Sequence, residues 1–350
     1  MVITKLIKYL LVIATVSPCR CFAQKLLINY TTELQSDFKK GANWVNLLRL
    51  DFSAPLGPSA TLEAATLSTA KTRAESLAND LQTFSNIEED NHPLAVAILG
   101  IRQPMENSSL FIGIRNLNED YFTSPATSLF TNSSCGIFPT LSADYPIANY
   151  PVSSMGIHYE LQHAQWSLQA SLYNGKASYR FTGKENVFRF CPKHDGILCL
   201  TSFSYQHHDS NYHIGFALHS GMYRSYAEGD TEQASPKEKK EIRKIIWGYA
   251  EQSITPRLQV LLQVSAQWHA SQGCKHYSGA GLVWQCGKTE GGVFTDYARF
   301  SHSHEWASEF TWKIPCLGKG FIQPTLHLIH QPEAHYLIGL LRFGYMLPAL

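Results

Sequence analysis

The sequence predicts an all-β fold: a transmembrane antiparallel β-barrel of about sixteen strands. Three observations predict it. Apolar and polar residues alternate with a period of two over stretches longer than the ~5–6 residues of an average strand. Aromatic residues, 12% of the chain, recur near the ends of those stretches, as an interfacial girdle requires. Charged residues make up only 16%, against roughly 25% in a typical soluble domain. Beyond the N-terminal region, no apolar run reaches the ~18 residues of a membrane helix.

Residues 1–23 read as a secretory signal peptide. Lys5 and Lys8 supply positive charge, residues 10–16 (LLVIATV) are apolar, and Cys21-Phe22-Ala23 offers a cleavage site that leaves Gln24 first. The apolar run is too short to span a bilayer as a permanent helix. A lipid anchor through Cys19 or Cys21 is disfavoured, because Pro18 and Arg20 stand where a small residue is needed. Residues 24–350 are then expected to form one barrel domain.

Residues 44–52 (WVNLLRLDF) and 94–102 (LAVAILGIR) read as strands. Between them, Leu77 and Leu81 lie at i, i+4 spacing, which predicts a short helix over 71–81. The alternation then becomes regular. Ile157, Tyr159 and Leu161 are interleaved with Gly156, His158 and Glu160, and Trp166, Leu168 and Leu172 with Ser167, Gln169 and Ser171. Tyr212, Ile214, Phe216 and Leu218 follow the same rule. In residues 258–268 the even positions are apolar and the odd ones mostly polar, a strand of the length a tilted membrane crossing needs. Trp306, Phe310, Trp312 and Ile314 alternate with Glu305, Glu309 and Lys313. Residues 226–244, dense in Glu and Lys around Pro236, read as a solvated loop. Asn174-Gly175, Thr182-Gly183 and Glu290-Gly291-Gly292 are turn signals. Residues 335–347 (HYLIGLLRFGYML) supply a last strand able to close the sheet, since an open edge in lipid would leave backbone groups unpaired. At about 20 residues per strand and turn, the chain holds roughly 14–18 strands; sixteen is the expectation.

A net charge of +1 gives no electrostatic case for nucleic acid. No GxSxG, HExxH or glycine-rich phosphate loop is present, so no enzyme is expected, and no cofactor. Six cysteines lie beyond residue 23. Cys191 with Cys199, and Cys274 with Cys286, could close local disulfides in an oxidising compartment; isolated thiols are the alternative. With no CxxC pair, no metal site is expected.

Two stretches carry a family resemblance. The first is Ser85-Asn86-Ile87-Glu88, followed by residues 94–102 and then 110–122 (LFIGIRNLNEDYF). The second is Asn132-Ser133-Ser134-Cys135-Gly136, followed by Tyr145-Pro146, Tyr150-Pro151 and a strand opening with Gly156. In this order and spacing they resemble the carbohydrate-selective outer-membrane porin family (OprB family). Cys135 stands where the family usually carries an aromatic residue. The resemblance implies a sixteen-stranded barrel that admits monosaccharides and other small sugars without an energy source.

Residues 116–151 form an unusually long segment between strands, rich in Asn, Ser, Thr, Pro and Tyr. It is expected to fold inward as a constriction loop. Its Tyr121, Phe122, Tyr145 and Tyr150 would then either offer flat faces to sugar rings or pack among themselves at the rim. Arg49, Arg102, Arg115, His158, Glu160, Glu305, His327 and Arg342 fall on predicted lumen faces. A lysine or arginine on the lipid face would cost about 2–4 kcal/mol at mid-depth, which forces such residues inward or toward an interface. The expected function is passive diffusion of small carbohydrates such as glucose across the outer membrane of a Gram-negative bacterium. A general or anion-preferring porin and a secreted all-β binding module are the alternatives. The expected partners are permeating sugars and outer-membrane lipid, with the barrel either a monomer or a homotrimer.

Overall fold

The computed structural model describes residues 25–39, 41–143, 145–225, 237–268 and 273–347. The expected leader lies outside them, as do residues 226–236. Sixteen strands follow one another: β1 (Lys25–Ser36), β2 (Ala42–Leu56), β3 (Ala60–Lys71), β4 (His92–Pro104), β5 (Ser108–Arg115), β6 (Ser154–His163), β7 (Trp166–Asn174) and β8 (Ile197–His207). The second half comprises β9 (Ser210–Ser225), β10 (Lys237–Thr255), β11 (Leu258–Trp268), β12 (Cys274–Cys286), β13 (Thr289–Phe300), β14 (His304–Cys316), β15 (Gly320–His330) and β16 (His335–Leu347). Each strand pairs with its sequence neighbours, and β16 closes the barrel on β1 with Arg342 opposite Glu33. Closure removes the open edge that lipid would not tolerate.

Period-two alternation sets the two faces. On β11, Leu262, Val264 and Trp268 are exposed on the outside, while Leu261, Gln263, Ser265 and Gln267 are buried on the inside. The register carries this parity from strand to strand, because directly paired residues point to the same face: Gln263 pairs with Gly279 and Tyr249. Tight connections lie at one end of the barrel, including Ala164-Gln165 and His208-Asp209, where Ala164 and His208 each take a φ of 52°. Left-handed backbone of this kind matches the strand twist in two-residue hairpins. The longer connections, among them 72–91, 116–153 and 175–196, lie at the other end. Membrane barrels place short turns toward the periplasm and longer loops outside.

Three sequence expectations need correction. Residues 71–81 are not helical: Lys71 ends β3, and 72–91 runs through bends. The Leu81 N–H donates to the Glu305 carboxylate at 2.7 Å rather than to a carbonyl four residues back. Long-range acceptors override a weak local preference. Second, residues 237–244 are not loop but the first part of β10, Lys244 pairing with Trp268 on one side and Leu218 on the other. At 19 residues, β10 exceeds the ~9–11 needed to cross a bilayer, so its charged end stands beyond the apolar band. Third, Cys274 and Cys286 occupy opposite ends of β12, roughly 40 Å apart at ~3.4 Å per residue, and a disulfide needs Cα atoms within about 7 Å. Cys191 and Cys199 are unbonded too, and all six described cysteines are free thiols.

The interior is filled by the segment after β5, not by the sheet alone. Leu117, Phe122, Phe138 and Leu141 from this segment pack with Ile245, Trp247 and Tyr277 of the wall. Gly215 on β9 leaves room for the Trp247 indole, which would lie 2.2 Å from an added Cβ. On the outside, Val187 of the 175–196 connection folds back onto Val96, Ile114 and Met155.

Candidate functional site

Two segments enter the barrel, and wall carboxylates hold them there. In the segment after β5, the Thr131 and Asn132 N–H groups donate to Glu309 at 2.8 and 2.9 Å, with the Thr131 hydroxyl adding a third bond at 3.0 Å. The Asn132 amide donates to Asp296 at 3.0 Å. Ser124 and the Ala126 N–H donate to Glu251, the latter at 2.8 Å. The segment after β3 is held in the same way: Leu81 N–H on Glu305, the Gln82 amide on Asp296 at 3.0 Å, and the Ser85 hydroxyl on Glu33 at 2.7 Å. The two segments also bond to each other through Asn86 N–H to the Thr131 carbonyl at 2.7 Å. Burying a carboxylate is costly unless donors satisfy it; Glu309 takes three such bonds, while Glu305 takes its bonds on Oε2 alone. Asp80, beside Glu305 in the first inward segment, has its carboxyl pushed up to about 8, first by burial and then by the Glu305 charge.

A second set of charges lines the lumen from β2 to β5, partly open to water at Arg49 and Arg102 and buried at Arg115 and Asp120. Arg49 on β2 forks onto Asp51 and Glu119, with bonds of 2.7 Å to each. Arg102 on β4 binds Glu63 at 2.6 Å. Arg115 on β5 reaches Glu63 at 3.2 Å and grips Asp120 through two bonds of 2.6 Å. His158 stands behind Asp120 at 3.5 Å and is fully buried. The alternation of β2 to β6 brings these side chains inward. Glu119 and Asp120 arrive from the turn that opens the inward segment, Leu117–Glu119 being a single 3-10 turn. Four carboxylates thus face three guanidiniums in two sets, Arg49 with Asp51 and Glu119, and Arg102 and Arg115 with Glu63 and Asp120, joined where Glu119 and Asp120 are neighbours in the chain.

Arg49, Arg102, Arg115 and His158 are therefore brought together, as their lumen parity predicts. The other sequence candidates are not part of this row. Arg342 stands on the β16–β1 wall, bound to Glu33 and to Asn86 at 2.7 Å each. Glu305 is fully buried as an anchor, and the His327 ring binds the Thr131 hydroxyl at 2.9 Å. Glu160 lies on the same face of β6 as His158, near its short-turn end. Tyr121 is buried against His158, with its hydroxyl on Ser171, and Tyr145 is buried, stacked on His219. Both rings are covered by neighbours. Tyr150 is partly buried, and its hydroxyl donates to the Ile87 carbonyl at 3.1 Å, tying the two inward segments together. Sequence reasoning missed Asp51, Glu63, Glu119 and Asp120, the partners that make the arginines a row. Glu63 and Asp51 could have been found by extending the odd-residue lumen parity along β2 and β3.

A closed sixteen-stranded barrel, apolar outside and carrying a row of paired charges within, defines a channel protein of the porin class. The description "Carbohydrate-selective porin, OprB family" matches residues 27–305, and the chain belongs to that family. The family and fold are those of non-enzymatic channels. Among solved structures, the chain is similar to the high-pH structure of Pseudomonas putida OprB, with a TM-score of 0.78 at 13% identity over 93% of this chain and 94% of that one. The low-pH structure of the same protein matches with a TM-score of 0.59 at 11% identity, over 93% and 92%. The trimer form of Vibrio cholerae OmpT matches with a TM-score of 0.62 at 9% identity, over 94% and 100%. No curated protein sequence matches the chain.

Proposed function

We propose that this carbohydrate porin passes small neutral sugars, monosaccharides such as glucose, by passive diffusion past the charged pairs Arg49 with Asp51 and Glu119, Arg102 with Glu63, and Arg115 with Glu63 and Asp120. The observation that carries the reading is the pairing itself. Each arginine is matched by at least one carboxylate, and two of the pairs keep contact with water: Arg49 and Asp51 side chains are 25% and 26% exposed, Arg102 and Glu63 20% and 22%, while Arg115 and Asp120 are buried at 7% each. Paired charges offer a hydroxyl donors and acceptors within one hydrogen-bond length. They give a small ion of either sign no unopposed attraction. The same pairing weighs against an anion-preferring pore, which needs arginines free of carboxylates. We read the inward segment 116–151, which itself supplies Glu119 and Asp120, as narrowing the lumen at this row. By its leader and its family, the chain is exported and inserted in the outer membrane of a Gram-negative bacterium, after cleavage near Ala23.

Liposome swelling with the refolded protein tests the reading, comparing glucose, a disaccharide and an amino acid of similar size. Glucose influx faster than size alone predicts supports it. Influx ranked by size alone would make the pore a general one.

A further inference from the structure

We propose that the barrel carries a second sugar subsite, lined mainly by neutral side chains, at its short-turn mouth where the charged row ends. It rests on the carbohydrate-channel reading and adds a place where the solute pauses. A cavity of about 210 Å³ opens where the row ends at Asp120, lined from there by β6 to β10. At ~30 Å³ per water this is the room of about seven waters. One pyranose fits it; a disaccharide must leave one ring outside.

Its chemistry differs from that of the row. Gln162, Gln165, Ser167, Ser202 and Gln206 line it, all neutral, and among the described residues none of these five side chains has a hydrogen bond within the protein. Amides and hydroxyls both donate and accept, as do sugar hydroxyls. The ionisable side chains nearest this surface are already engaged. Arg115 binds both oxygens of Asp120, and the His213 ring is bonded to Ser204 at 2.7 Å and stacked on Tyr249 at 4.0 Å. Phe122 and Tyr249 also border the cavity, each buried against neighbouring rings. Inward parity stacks these side chains along adjacent strands: Gln162 and Ser167 pair at one level, Ser202 stands one inward position deeper opposite Gln169, and Gln206 lies toward the short turn. A solute leaving Arg115 and Asp120 toward the short turns meets this surface next.

The test is current-noise analysis of the full-length protein in planar bilayers, titrated with glucose in potassium chloride. The double variant Gln162→Leu/Gln206→Leu changes two exposed mouth residues and leaves the inward segments untouched. Loss of two neutral hydrogen bonds is expected to raise the half-saturating glucose concentration roughly tenfold, with salt conductance unchanged. Ser202→Phe fills the cavity and is expected to abolish the glucose-dependent noise while swelling still shows some glucose influx. Wild-type titration curves in both variants would overturn the subsite while leaving the channel reading intact. A wild-type protein that admits no glucose in swelling would instead overturn the channel reading, and the subsite with it.

Discussion

On β13 and β14, Asp296, Glu305 and Glu309 are fully buried and take hydrogen bonds from the two inward segments. On β2 and β3, Asp51 and Glu63 keep about a quarter of their side-chain surface in water and bind arginines. All five stand on inward-facing positions of the same barrel. The difference lies in what is packed above them. Where the segment after β5 lies on the wall, a carboxylate meets backbone N–H groups and loses its water, so it anchors. Where the wall is left open, it meets a guanidinium and stays wet, so it is available to solute. Inward parity makes a residue interior; the path of the inserted segments decides whether it becomes anchor or pore.

Four measurements bear on that contrast. The largest effect is expected from removing what the anchors hold. Deleting residues 123–144 should raise single-channel conductance several-fold and erase the preference for glucose; unchanged conductance would mean the segment does not narrow the pore. Cutting one anchor, Glu309→Ala, leaves the Thr131 and Asn132 N–H groups buried without an acceptor, at about 1–3 kcal/mol each. Faster hydrogen exchange at residues 129–135, with the barrel still closed by heat-modifiable gel mobility, is the expected result. Protection equal to the wild type would remove Glu309 from the anchor set.

At the buried end of the row, Arg115→Ala should act on permeation while the bonds that hold 124–132 to Glu251, Asp296 and Glu309 stay in place. It leaves Asp120 and Glu63 with less opposing charge, so the cation-to-anion permeability ratio should rise and glucose influx fall roughly tenfold, the effect of losing a charge-assisted bond. Reversal potentials in a salt gradient read the first change; a shift toward anions would contradict the assigned polarity of the row.

The smallest effect concerns Asp80. Its carboxyl is pushed up to about 8, above the ordinary carboxylate value, by burial and by Glu305. A raised value means the neutral form stabilises the fold. That contribution is fully present below the ordinary carboxylate value and is lost as pH rises through about 8. Exchange protection of residues 78–86 should therefore decline between about pH 4 and pH 8 in the wild type, level off above that, and stay flat in Asp80→Asn. Parallel profiles would show that Asp80 does not titrate there.

The fold was legible because the barrel's two faces are written into alternate residues. Leu262, Val264 and Trp268 against Gln263, Ser265 and Gln267 identify a one-sided strand whatever its neighbours do. The same parity put Arg49, Arg102, Arg115 and His158 inside, where they lie. It failed where local pattern and distant partners disagree. The Leu77–Leu81 spacing suggested a helix, yet Leu81 donates to Glu305, more than two hundred residues away. The Glu- and Lys-rich start of β10 suggested a loop, yet β9 and β11 supply ladders on both sides.

By itself, then, the sequence determined the barrel, its approximate strand number and which side chains enter the lumen, because strand periodicity is a local property of consecutive residues. Only the tertiary structure decided that Glu305 and Tyr145 are buried supports, that Arg49, Arg102 and Arg115 share their charge with Asp51, Glu63, Glu119 and Asp120, and that a second segment enters beside the first. Those outcomes depend on where two inserted segments come to rest. Their resting places are set by donors and acceptors far apart in the chain, which no local pattern records.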